Sequence, residues 1–373
     1  MKKFVVFLTC FLVLNLNCLA SNKGSILIEF TSGEILMDDN AYTHNAPASM
    51  TKMMTLLLVM EKIDNGKIKL TDKVTISETA ANMGGSQVFL QPGEVITVDE
   101  LIKSVCIASA NDSAVALAEY VGGTVDKFVN MMNQKVKSLG LSNTNFENVH
   151  GLDSDNHYSC PYDMSMIAKE LIKHKKIIEY SSIYEDYLKK NDGSSIWMVN
   201  TNKLIRYYNG LDGLKTGFTS TAGYCLTATA KRNDMRLISV VMGSETSETR
   251  SKETIELLDY GFNNYKLKTI FKNDINLGSV KVKNGKKDYV ELKLIDNVTD
   301  LVSIENEFKY DHKIKVNDII APVNVGDKVG KLELYKNGKK IKSFDITVKE
   351  SVKKANVWDL YKKNFKYLVS GNV

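Results

Sequence analysis

The chain is short of cysteine, histidine and arginine, and each shortage removes a class of function. Only five of its 373 residues are cysteines. Cys10 and Cys18 fall within the first twenty residues, which leaves Cys106, Cys160 and Cys225. Three scattered thiols do not make a disulfide framework. The five histidines (His44, His150, His157, His174 and His312) form no HExxH, and no CxxC accompanies them. No metal ion or cofactor is therefore expected, and each histidine reads as a surface or structural residue. Arginine occurs only as Arg206, Arg232, Arg236 and Arg250. With 49 Lys plus Arg against 44 Asp plus Glu, the formal net charge is +5. A nucleic-acid-binding protein is usually more basic and uses arginine to fork phosphates, so no nucleic acid is expected as a partner. The apolar share of 43% and charged share of 25% are ordinary for a globular protein and exclude a disordered, collagen-like or all-membrane chain. A chain of this length is more readily two domains than one.

Lys2 and Lys3 precede an apolar stretch over 4–14 that is too short for a comfortable bilayer span. Cys18 and Ala20 place small residues at the −3 and −1 positions of a cleavage site. Residues 1–20 thus read as a secretory signal peptide, with a retained N-terminal anchor as the alternative. Asn17 disfavours lipid attachment at Cys18, because that chemistry wants a small residue there.

Segments 25–30 and 34–37 flank Ser32-Gly33 and read as a β-hairpin. Residues 49–63, SMTKMMTLLLVMEKI, are apolar on nearly every side, so a helix there would be buried all round. Further helices are expected over 98–107, 113–120 and 247–260. Residues 211–243 read as strands, with 222–230 and 235–242 joined by a turn at Arg232-Asn233-Asp234. After about Phe262 the pattern changes to short alternating segments. Asn284-Gly285 and Asn337-Gly338 are strong hairpin turns. The expected organisation is a signal peptide at 1–20, a catalytic domain at 21–265, a small all-β domain at 266–350 and a tail at 351–373.

Three short motifs occur in order: Ser49-Met50-Thr51-Lys52, an SxxK; Ser109-Ala110-Asn111, an SxN; and Lys215-Thr216-Gly217, a KTG. Any one alone is weak, since a surface serine, a helix cap or a strand end would look the same. Together they fit one task. On a helix, SxxK sets Ser49 and Lys52 on one face, one turn apart. Pro47 favours a helix start close to Ser49, which puts that hydroxyl at the positive end of the helix dipole. A serine nucleophile needs a base. Lys52 can serve only as a neutral amine, which burial and repulsion from a second cation would favour; Lys215 is a natural second cation. Gly217 has no side chain, so a substrate backbone could lie along its strand. Thr216 and Lys215 suit a carboxylate, Ser109 can relay a proton, and Asn111 can bind an amide.

These motifs, with the strings APASMTKMMT at 46–55, IASANDSAVALAE at 107–119, HGLDSDNHYS at 150–159 and LDGLKTGFTSTAGYCLTATAKRNDMRLISVVMG at 211–243, resemble the low-molecular-weight penicillin-binding proteins that are serine-type D-alanyl-D-alanine carboxypeptidases. The resemblance covers about residues 25–262 and, more loosely, the β-rich remainder. It implies an α+β fold: a penicillin-binding/β-lactamase-like catalytic domain, with an antiparallel sheet and helices, then a small all-β domain and a C-terminal amphipathic helix. It also implies roles. Ser49 would attack the carbonyl between the last two D-alanines of a peptidoglycan stem peptide, with Lys52 as general base, and water would then hydrolyse the acyl-enzyme. Ser109 would relay a proton to the leaving amine, while Asn111 orients substrate and Lys52. Lys215 and Thr216 would hold the terminal carboxylate. The oxyanion hole would be the backbone N–H groups of Ser49 and Phe218, where some relatives have His in place of Phe218. β-Lactams would acylate Ser49 as inhibitors. Arg250, 35 residues after Lys215, matches an arginine that helps hold the carboxylate, or is a solvated arginine at a helix start. Gly84-Gly85-Ser86 resembles a loop bordering the cleft, or is a plain turn. Cys106 reads as a packed thiol.

In the tail, Trp358, Tyr361, Phe365 and Leu368 recur at helical spacing, with Lys353, Lys354, Lys362, Lys363 and Lys366 around them and Asp359 the sole acid. Such a helix could lie on an anionic membrane surface or dock on the β domain. The expected location is therefore the outer face of the bacterial cytoplasmic membrane. Two rival functions share the motifs. A β-lactamase needs a positioned glutamate and water, for which no motif stands between Asn111 and Lys215. A catalytically idle cell-wall binding protein would be free to lose one of the three motifs.

Overall fold

A computed structural model describes residues 23–190, 193–306 and 308–370. The signal peptide expected at 1–20 lies outside them. The chain divides into two compact units, Met1–Gly261 and Phe262–Val373.

The first unit is built on a five-stranded antiparallel sheet. Across it the strands run Ile35–Asp39, Gly24–Glu29, Met235–Ser244, Gly223–Arg232 and Leu211–Thr219. The N-terminal hairpin and the three strands of 211–243 are thus one sheet, and the KTG segment forms its last strand. Strand Gly223–Arg232 buries six consecutive residues from Cys225 to Ala230. Helix Pro161–Ile172 packs on one face of the sheet with the main hydrophobic cluster, and helix Ser247–Asn264 meets Leu27 and Leu237 on the other, so both faces are apolar.

The helix expected over 49–63 begins differently. Ala48–Thr51 form a 3₁₀ turn and the α-helix proper runs Lys52–Asp64. Residues Lys52 to Met60 are all buried, as the unbroken apolar run requires. Helix Val98–Ile107 is capped by Thr97, whose Oγ1 accepts the Glu100 N–H and donates its own proton to Glu100 Oε2. The next helix, Asn111–Gly122, starts two residues earlier than expected. Asn111 is therefore its first residue, and the carboxylate of Asp112 accepts backbone N–H groups from Val88, Leu90 and Ser113. That pins the 84–91 loop to the helix start. Cys106, Cys160 and Cys225 are buried free thiols; burial pushes that of Cys106 up to about 12, consistent with a packed, inert group.

The second unit is a six-stranded sheet with a separate two-stranded ladder, Tyr265–Phe271 with Val298–Ser303. Its core holds Val290, Leu292, Leu294, Leu332, Leu334, Ile346 and Val348. Asn337-Gly338 makes the tight hairpin turn, both residues at positive φ (50° and 80°). Asn284-Gly285 opens a wider connection between Ser279–Lys283 and Tyr289–Leu294. Residues 351–356, read above as the start of the tail, instead belong with the β sheet. Val352 is buried in its core and pairs with Val323, and Lys354 pairs with Gly285. The tail helix itself is Val357–Ser370. Val357, Trp358, Tyr361 and Phe365 are between 58% and 81% exposed, so nothing among the described residues covers that face. Leu368, Lys363 and Lys366 have side chains outside the described residues.

Candidate active site

The three motifs, up to 168 positions apart in the chain, meet at one cleft of about 410 Å³. Its walls include Ser49, Ser109, Thr216, Gly217, Phe218 and Arg250.

Ser49 sits in the 3₁₀ turn, where residues three apart eclipse one another. This brings Lys52 Nζ to 2.9 Å from Ser49 Oγ. The preceding Ala48 has φ +46°, a left-handed conformation that a non-glycine residue adopts only when its surroundings hold it there. Lys52 is fully buried and also donates to the backbone carbonyl of His150 at 2.7 Å. Burial lowers its pKa well below the ordinary lysine value, and the positive charge of Lys215 pushes the same way, while Asp112 opposes them. The two causes expected from sequence are thus both at work, burial first.

Ser109 also has a positive φ, +61°, and its Oγ accepts from Lys215 Nζ at 2.8 Å. Lys215 further donates to the Thr216 carbonyl. Burial brings its pKa down to about 7, a bias of roughly 5 kcal/mol toward the neutral amine. A bound carboxylate would offset that bias. Thr216 donates to Thr201 Oγ1 at 2.7 Å. Gly217 lies against the nucleophile turn: a Cβ there would be 3.0 Å from Ala48 Cβ and 3.2 Å from the Ser49 nitrogen. The strand therefore has glycine because the backbones nearly touch. Phe218 is 55% exposed, and its ring lies tilted against Tyr224 with centroids 4.3 Å apart.

Asn111 is placed differently from expectation. Its Nδ2 donates to the Gly84 carbonyl at 2.6 Å, and its buried Oδ1 has no hydrogen-bond partner. Lys52 bonds Ser49 and His150 instead. The Gly84-Gly85-Ser86 loop does border the cleft: Ser86 lines it and accepts the Asn111 N–H. Arg250 is 7% exposed with its Nε unpartnered, so it is a buried cation facing the cleft rather than a solvated one.

Sequence reasoning missed the part played by the 147–157 loop. The His150 carbonyl bonds Lys52, Gly151 packs on the Ala48 backbone, and Asp153 accepts from Thr219 at 2.8 Å. The string was visible, but a backbone acceptor has no residue-type signature. Burial holds His150 down to about 4 and the charge of Lys52 adds to this, so the ring is neutral. Thr201 and Lys203, also on the cleft wall, were missed for want of any motif. No cluster able to hold a metal ion occurs among the described residues.

A family model described as D-alanyl-D-alanine carboxypeptidase matches residues 18–246. The chain belongs to that family. A second model, described as the C-terminal domain of penicillin-binding protein 5, matches residues 265–354. This carboxypeptidase is 46% identical over 336 residues to D-alanyl-D-alanine carboxypeptidase DacF of Bacillus subtilis (strain 168), covering 89% of this chain and 86% of that one. Penicillin binding protein 5 from Haemophilus influenzae has a similar structure, with a TM-score of 0.71 and 34% identity over 90% of this chain and 98% of that one. Penicillin-Binding Protein D2 from Listeria monocytogenes, solved in the ampicillin-bound form, matches 65% of this chain and 98% of its own length at 32% identity and a TM-score of 0.58. The α+β catalytic unit followed by a β unit is therefore the architecture of low-molecular-weight penicillin-binding proteins.

Proposed function

We propose that this carboxypeptidase is a serine-type enzyme that removes the terminal D-alanine from peptidoglycan stem pentapeptides. The observation that carries the mechanism is the buried Lys52 amine 2.9 Å from Ser49 Oγ. Ser49 Oγ attacks the carbonyl between the two D-alanines as neutral Lys52 takes its proton. Backbone N–H groups of Ser49 and Phe218 face the developing oxyanion. The substrate lies as an added extended strand along Leu211–Thr219, the last strand of the sheet. Lys215, Thr216 and Arg250 take the terminal carboxylate. Ser109, bonded to Lys215, relays to the departing amine the proton that Lys52 took from Ser49, which leaves Lys52 neutral again. Asn111 Oδ1, buried and unpartnered, accepts from a substrate amide. Water then attacks the acyl carbon and loses a proton to Lys52, which returns it to Ser49 Oγ as the Oγ–acyl bond breaks. A β-lactam carries the same carbonyl and carboxylate and would acylate Ser49; the ampicillin-bound relative supports this.

Incubation with a stem pentapeptide, read by mass spectrometry, tests the reading. The expected result is loss of one alanine, abolished in Ser49→Ala. No loss combined with fast penicillin turnover would favour a β-lactamase instead. Lys52→Ala should block acylation by penicillin; normal acyl-enzyme in that variant would sink the general-base assignment.

We also infer export by the 1–20 signal peptide and attachment to the outer face of the cytoplasmic membrane through Val357–Ser370, whose Trp358, Tyr361 and Phe365 side chains are exposed, with lysines near them in sequence. No described helix is long and apolar enough to cross a membrane. A chain stopped at Asn356 should lose binding to anionic vesicles; equal binding by both forms would refute the anchor.

A further inference from the structure

His157 stands in the same loop as His150 and has no part in the chemistry above. It is 5% exposed and packs on Phe146, ring centroids 5.6 Å apart. Its Nδ1 accepts the backbone N–H of Glu147 at 2.9 Å. A backbone N–H can only donate, so Nδ1 is unprotonated. The single proton of a neutral ring is then on Nε2, which lies 2.8 Å from Thr51 Oγ1 and donates to it. Thr51 lies between Ser49 and Lys52 in the SxxK turn, and is itself fully buried.

Two other bonds run beside this one. Lys52 Nζ donates to the His150 carbonyl at 2.7 Å, and Thr55 Oγ1 donates to the Val149 carbonyl at 2.7 Å. The loop is thus laced to the start of the nucleophile helix at Thr51, Lys52 and Thr55. Of the three, only the His157 bond reaches the 3₁₀ turn itself. That turn contains Ala48 at φ +46°, a conformation that persists only when neighbours hold it.

We propose that His157 is a positioning residue for acylation: its Nε2–H bond to Thr51 Oγ1 holds the turn that presents Ser49 to Lys52, and fixes the loop whose His150 carbonyl takes the second Lys52 bond. This rests on the reading of Ser49 as nucleophile and Lys52 as base. The ring is neutral because burial pushes its pKa down to about 4; Glu147 and Asp153 oppose that shift, and His150 is the other titratable ring beside it. A doubly protonated ring would set an Nδ1–H against the Glu147 N–H.

The test measures the second-order rate of acylation by a fluorescent penicillin, alongside thermal unfolding, for the wild type, His157→Ala, His157→Gln and Thr51→Val. Glutamine keeps a donor and an acceptor at its tip, so it can span the same two partners. The expected result is at least a tenfold loss of rate in folded His157→Ala and in Thr51→Val, with His157→Gln within about threefold of wild type. Nitrogen-15 spectra of histidine-labelled protein at pH 7 should show the His157 ring neutral with its proton on Nε2, assigned by its disappearance in His157→Gln. Wild-type rates in folded His157→Ala or in Thr51→Val, a glutamine variant no faster than alanine, or a proton on Nδ1 would each overturn the proposal. Should His157→Ala not fold, Thr51→Val removes the same bond from its other end and decides the matter. Ser49→Ala serves as the control: labelling that survives it would overturn the nucleophile assignment, whereas labelling lost there but unchanged in the other variants would overturn only the role of His157.

Discussion

Gly151→Ala should cripple acylation while leaving a folded protein. Gly151 has φ +90° and rests directly on the backbone before the nucleophile. A Cβ added there would stand 1.8 Å from the Ala48 oxygen, 2.3 Å from the Ala48 carbon and 2.9 Å from the Ser49 nitrogen. All three are backbone atoms, so no side chain can swing away. To reach even the shortest tolerable separation, loop and turn must part by about 1.2 Å. The loop is held by Asn148 Oδ1, which accepts the N–H groups of His150 and Gly151, and by the Lys52 bond to the His150 carbonyl. The parting therefore stretches the contact that aims Lys52 at Ser49. A misplacement of ~1 Å at a reacting pair costs about 100-fold in rate, equivalent to roughly 3 kcal/mol in the barrier. The left-handed backbone adds about 1 kcal/mol or more of instability for any residue with a Cβ. Gly66→Ala separates the two effects. Gly66 has φ +67° but nothing within 4 Å of the added Cβ. It should lower Tm by about 2–4 °C and leave acylation unchanged. Stopped-flow labelling with a fluorescent penicillin, with thermal unfolding in parallel, gives both quantities. A folded Gly151→Ala enzyme that acylates within threefold of wild type would refute the reasoning, because the nucleophile turn would then tolerate displacement.

Two further outcomes follow from the buried cations. The pH profile of kcat/KM should be bell-shaped. Activity rises as Lys52, held below its ordinary value by burial and by Lys215, loses its proton, and falls as Lys215 loses its charge near about 7 in the free enzyme. Lys215→Arg should move the falling limb to higher pH, and an unmoved limb would exclude Lys215 as its source. The same two lysines make stability rise with pH. Their folded values lie below the unfolded one, so the unfolded chain binds more protons, for Lys215 between about 7 and 10.5. Arg250→Ala should raise KM about tenfold or more for a peptide ending in a free carboxylate and little for the same peptide ending in an amide, since the buried guanidinium has an unpartnered Nε at the cleft. Equal effects on both peptides would show that Arg250 only supports the wall.

By itself the sequence determined the class of chemistry, because SxxK, SxN and KTG are statements about residue type and near spacing, and those are local. It also determined the unbroken apolar run behind Ser49 as a buried helix, and the strands of 211–243 from their turns and alternation. The β-rich second part was legible in the same way from Asn337-Gly338 and its flanking segments. Tertiary structure decided what depends on distance between remote segments. It set Ser49 in a 3₁₀ turn rather than an α-helix, which shortens the reach to Lys52. It tied Asn111 to Gly84 instead of Lys52 and brought the His150 carbonyl to Lys52 in its place, a contact made by backbone atoms that every residue carries. It drew Val352 into the β core, so that the tail begins at Val357. The burial that lowers Lys52 and Lys215 is likewise a property of the assembled core, since no lysine in a sequence shows whether water will reach it.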